Sequence, residues 1–70
     1  MIVLDRIRLN LQNAIKNSGM MHKDISEKIG IKSATLSQYL SGRAMPALDT
    51  FAKLCECLDV DANEILGINK

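Results

Sequence analysis

The sequence predicts an all-α protein, a compact bundle of five short helices, and three features carry that expectation. Apolar residues recur at three- and four-residue spacing along nearly the whole chain, the period of one helix face. Gly19, Gly30, Gly42 and Gly67 fall where those runs stop, and glycine readily closes a helix in a left-handed conformation. The 47% hydrophobic content includes one Phe, one Tyr and no Trp, so the core must be built from Ile, Leu, Val and Met. A sheet would want more aromatic and β-branched runs.

The first helix is predicted over about Val3 to Ser18, with Leu4, Ile7, Leu11, Ala14, Ile15 and Ser18 on one stripe and Gly19 closing it. Leu9 lies off that stripe with Ile2 close to its side; single exposed leucines are common, so both are expected to be ordinary surface rather than a contact patch. From His22 to Ser41 the chain reads as two short helices, His22 to Ile29 and Ser33 to Ser41, hinged at Gly30. Ile25 and Ile29 share a face of one, and Leu36 and Tyr39 a face of the other. Ser26 is small where the two axes approach most closely, which makes the pair a helix-turn-helix. Met21 has no oxygen to cap the first of these helices, and Ser33 is expected to cap the second one residue late. Arg43 to Pro46 is a loop. A fourth helix follows over about Ala47 to Leu58, with Leu48, Phe51, Ala52, Leu54, Cys55 and Leu58 as a wide apolar face. The fifth is short, with Asp61 as N-cap, Glu64 three residues on, then Ile65, Leu66 and Ile68. The tail beyond it reads as a natural end.

Seventy residues form one domain, 1–70, and leave no room for a second one that would sense a ligand. No apolar run approaches the ~20 residues of a membrane span, and Asp5 interrupts the N-terminal apolar stretch too soon for a signal peptide. A cytoplasmic protein is expected. Cys55 and Cys57 point to different sides of one helix and cannot easily bridge; with a single, remote His22 they also lack partners for zinc. Free or buried thiols are therefore expected, with no metal or other cofactor and no evident small-molecule ligand. Catalysis is discounted too, because the lone histidine sits near Lys23 and Asp24 at a helix start with no catalytic constellation around it, and the glycines lack phosphate-loop spacing. Net charge is only +1, but residues 1–46 carry seven Lys or Arg against three acids, and residues 47–70 two against five. Such a dipole orients a domain on a polyanion.

The outward face of the second helix of the pair is small, polar and uncharged: Ser33, Ala34, Ser37, Gln38 and Ser41. An ordinary solvated face would more often carry Lys, Glu and Arg. Gln38 can make the paired hydrogen bonds that adenine presents in a major groove, Ser33 and Ser37 can donate or accept, and Ala34 can touch a thymine methyl. Lys32 and Arg43 bracket this helix and are the strongest candidates for phosphate, with Lys23 next. Lys28 is equally well read as a solvated charge, and Thr35 as either a packing or a groove-facing residue.

The stretch from His22 to Ser41 resembles the helix-turn-helix of the phage-repressor and Cro type, a family of small five-helix, lambda-repressor-like DNA-binding domains. Ser26, Gly30, Ile25, Ile29, Ile31 and Leu36 match its pattern, and the likeness continues through Ser41-Gly42-Arg43, Pro46, Leu48-Asp49-Thr50 and Leu58-Asp59-Val60. The resemblance implies sequence-specific binding of double-stranded DNA through Ser33 to Ser41, transcription regulation, and a homodimer on two half-sites about one helical turn apart. Its dimer surface would come from the region after the third helix and the last helix, here the Met45 loop, the fifth helix and Ile68; Ile2 and Leu9 are a less favoured alternative patch that the resemblance does not supply. His22 stands where the family usually places a phosphate-holding glutamine; histidine can still donate, and holds an anion more tightly once protonated. An internal ion pair of the family is replaced by Ile15 and Leu40, which removes two charges from burial at once. With no sensing domain, repression by occluding a promoter is the simplest expectation. A protein-interaction module of antitoxin-like kind and a non-specific nucleic-acid binder are the alternatives.

Overall fold

The computed structural model describes residues 2–68. Met1, Asn69 and Lys70, and with them the expected chain end, lie outside it. The described residues form α1 (Leu4–Asn17), α2 (His22–Ile29), α3 (Ser33–Ser41), α4 (Leu48–Leu58) and α5 (Ala62–Leu66). Helix α1 packs on α3 and α5, while α2 packs on α3 and α4. Helix α3 is thus held from two sides.

Each helix contributes its predicted stripe to one core: Leu11 and Ile15, Ile25 and Ile29, Leu36 and Tyr39, Leu54, Cys55 and Leu58, and Ile65 are all buried. Ile15 is fully covered and Leu40 half-covered against this core, so the two positions where the family has an ion pair are absorbed as apolar packing. Asn10 adds a polar tie, its Nδ2 donating to the Ile65 carbonyl at 3.1 Å and fastening α5 to α1.

Three expected core residues, Leu4, Leu48 and Ala52, are not in the core. Leu4 is 53% exposed and Leu48 84% exposed, and each is the first residue of its helix. Helical side chains lean toward the N-terminus, so a first residue overhangs the end of the bundle, beyond the elements its stripe would otherwise meet. Ala52, at the edge of the α4 stripe, is exposed as well. Ile2 and Leu9 are exposed as expected, at 61% and 47%.

The helix ends show which local signals were sufficient. Gly30 adopts φ 76° and ends α2, with its own N–H and that of Ile31 both donating to the Ser26 carbonyl at 3.0 and 2.9 Å. Asp61 caps α5 as expected, accepting from the Asn63 N–H at 2.9 Å. Ser33 does not cap α3. Lys32 occupies the N-cap, Ser33 is already helical, and no side chain closes that end. At the end of α4 the left-handed residue is Asp59, φ 55°, with no glycine there to mark it; a short polar side chain makes that conformation tolerable.

Both cysteines are free, Cys55 buried and Cys57 half-buried. Burial, and secondarily the charge of Asp61, pushes the Cys55 thiol up, which keeps it protonated and inert.

Candidate nucleic-acid interface

Helix α3 positions the residues that carry any chemistry here. Leu36 and Tyr39 anchor it to the core, and Ser33, Ala34, Ser37, Gln38 and Ser41 are all exposed on the opposite side. Thr35 is half-buried and sits at the packing edge. None of the nine residues of α3 is charged. The face is therefore neutral by construction, and its cations are placed beyond its ends.

Lys32 and Arg43 are those cations, both exposed. The turn after α3 fixes where Arg43 begins: Gly42, at φ 79°, lets the Arg43 and Ala44 N–H groups fold back on the Gln38 carbonyl at 3.0 and 3.3 Å. The same carbonyl accepts from Ser41 Oγ at 3.1 Å. At the other end Thr35 N–H donates to the Lys32 carbonyl at 3.0 Å, while the Ser33 and Ala34 amides have no acceptor among the described residues. Free amides, a positive helix end and a lysine converge there, with no acid in the first turn.

The start of α2 is built differently. His22 and Lys23 are exposed there and Met21 provides no cap, but Asp24 lies in the same first turn. Its carboxylate already satisfies the helix dipole and opposes a second anion. Of the two helix starts, only that of α3 lacks an acid in its first turn. Lys28 faces elsewhere: with Ile29, Lys53, Glu56 and Cys57 it lines a cleft of about 300 Å³ between α2 and α4.

Two α1 residues that the sequence did not single out support the site. A side chain at Gly42 would meet Gln12 Nε2 at 3.2 Å and Arg8 Cδ at 4.0 Å, so these two α1 side chains lie beside the C-terminal end of α3. Arg8 in turn pairs with the well-exposed Asp5, Nη1 to Oδ1 at 3.2 Å, a surface contact of little energetic weight. Periodicity gave no hint of this, because both residues read as ordinary polar positions beside the stripe.

No curated protein and no solved structure matches the chain significantly. A family model described as Helix-turn-helix matches residues 11–65, a span that contains α2, the turn, α3 and α4 and most of what α1 and α5 pack against them. With that match over most of its length and five packed helices that seat α3 on α2 with its outer face exposed, the chain belongs to the helix-turn-helix family of phage-repressor and Cro type, a family of DNA-binding regulators rather than typical enzymes.

Proposed function

We propose that residues 1–70 act as one sequence-specific double-stranded DNA-binding domain that represses transcription by occluding a promoter. The observation that carries this reading is the exposed, uncharged outer face of α3 bracketed by Lys32 and Arg43. Ser33, Ala34, Ser37 and Gln38 read bases; His22, Lys23, Lys32 and Arg43 hold phosphates, with Lys32 first among them because the open end of α3 assists it. The site of action is the cytoplasm; among the described residues no helix is long and apolar enough to cross a membrane. Neither a cofactor nor a small-molecule ligand enters this mechanism.

The protein acts as a homodimer on inverted half-sites. A protomer measures 33 × 23 × 21 Å, so two in contact can set their α3 helices about one DNA turn, ~34 Å, apart. The Met45 loop, α5 and Ile68 supply the contact, and the exposed Leu48 just beyond Met45 joins them. Sedimentation of Leu48→Asp tests this, with a monomer expected; a variant that sediments as the parent moves the contact elsewhere.

Binding of Gln38→Ala to a selected duplex tests the assignment of that residue. A loss of about 1–3 kcal/mol confined to one base position is expected; undiminished binding withdraws Gln38 from the reading set. A second reading, a protein-interaction module of antitoxin-like kind, draws support from the exposed Ile2, Val3, Leu4 and Leu9 at the start of α1. Failure of the protein to retain any duplex DNA would favour it.

A further inference from the structure

We infer that the half-site read by α3 is specified by A·T pairs, with an adenine edge under Gln38 and a thymine methyl under Ala34, and with no guanine specified by this helix. The inference rests on the proposed DNA reading and narrows it to a class of target.

The structure separates the hydroxyls that are free from those that are not. Ser18, Ser26 and Ser41 each donate back to a carbonyl three residues earlier, at 2.7, 2.9 and 3.1 Å. Ser33 and Ser37 make no such bond among the described residues, so both hydroxyls face outward uncommitted. A free hydroxyl rotates, donating to guanine N7, adenine N7 or thymine O4 alike. These two serines therefore add affinity but discriminate little.

Discrimination falls to the neighbouring row. Ala34 and Gln38 are four residues apart on one face, about 6 Å along the axis, a little under two base-pair steps. The Gln38 amide pairs its oxygen with adenine N6–H and its NH2 with adenine N7; guanine presents only the acceptors O6 and N7, so the NH2 alone could bind there and the oxygen would be left without a partner. Ala34 presents only a methyl group, which gains by covering the thymine C5-methyl and finds nothing equivalent on cytosine. Guanine is ordinarily read by two donors from Arg or Lys, and α3 contains neither. Lys32 and Arg43 lie off its two ends. Both discriminating side chains thus select the same class of base pair.

The test begins with selection of the full chain on a random duplex pool, followed by binding to the enriched site with single base changes. An A·T pair is expected at two positions per half-site. Replacing thymine by deoxyuridine under Ala34 deletes one methyl group from the DNA alone and should weaken the wild-type protein about fourfold. Exchange of A·T for G·C under Gln38 should weaken it about 5- to 150-fold, and Gln38→Ala should become indifferent to that exchange. Circular dichroism of the variant guards against misfolding, and the deoxyuridine experiment needs no variant at all. A half-site that demands guanine under α3, or whose guanine preference vanishes in Lys32→Ala, overturns the A·T inference and leaves specific DNA reading standing. Retention of the pool without enrichment, or no retention, overturns the proposed function and the inference with it.

Discussion

Lys32→Ser should make the protein more stable and a poorer DNA binder. Lys32 has the extended backbone of a capping residue, φ −76° and ψ 149°, but no side-chain oxygen to offer. A serine there would accept from the Ala34 or Thr35 amide. Thr35 N–H already donates to the Lys32 carbonyl, so the gain comes mainly from the Ala34 amide, which has no acceptor among the described residues. Such a cap is typically worth about 1 kcal/mol, which in a domain of this size raises Tm by about 4–8 °C. The lysine stem is exposed, so little packing is lost. Against this gain, one phosphate contact disappears. The slope of log affinity against log salt should fall by about 0.9, equivalent to about 3.5-fold in affinity over a fourfold change of salt. Thermal melting by circular dichroism and fluorescence anisotropy across a salt series, on one preparation, read both effects. An undiminished salt slope would falsify the phosphate role of Lys32, and an unchanged Tm would refute the open-cap geometry. Opposite signs would explain why a lysine stands where stability alone favours serine.

Met21→Thr should give a similar gain of about 1 kcal/mol at α2, since Met21 is 68% exposed and uncapped, but should leave the salt slope unchanged. Gly42→Ala should destabilise by about 1–2 kcal/mol from left-handed strain, with a further increment from crowding Gln12 that Gln12→Ala in the same chain removes; urea unfolding that shows no loss contradicts the turn geometry. Leu54→Ala empties a fully buried site and should cost about 2–5 kcal/mol, a large part of the stability available to 70 residues, so its melting transition should move far down or vanish. In the native protein iodoacetamide should label Cys57 well before Cys55, read by mass spectrometry; equal rates would mean that Cys55 is not held buried and protonated.

The helices, their order and most of their buried faces were legible because each depends on spacing along the chain. Leu11, Ile15, Ile25, Leu36 and Leu54 lie at helical intervals and are the most deeply buried large side chains. The neutral outer face of α3 was legible for the same reason, since fixing Leu36 and Tyr39 inward leaves Ser33, Ala34, Ser37 and Gln38 outward. Periodicity failed at helix starts. Leu4 and Leu48 continue their stripes faultlessly and are still exposed, because a stripe says which way a residue points and not whether another element reaches that far.

By itself, then, the sequence determined the five helices, the Gly30 hinge, the apolar replacement at Ile15 and Leu40, and the face that α3 turns outward, all of which follow from local stereochemistry and periodic burial. Only the tertiary structure decided what surrounds the cations near that face. Lys28 and Lys32 are four residues apart in sequence, but Lys28 lines the cleft toward α4 while Lys32 stands at the open end of α3. Likewise Arg8 and Gln12, far from α3 in the chain, lie against its C-terminal turn because α1 packs there. Side-chain direction within a helix is set by the helix itself, whereas the company a charge keeps is set by how the helices dock.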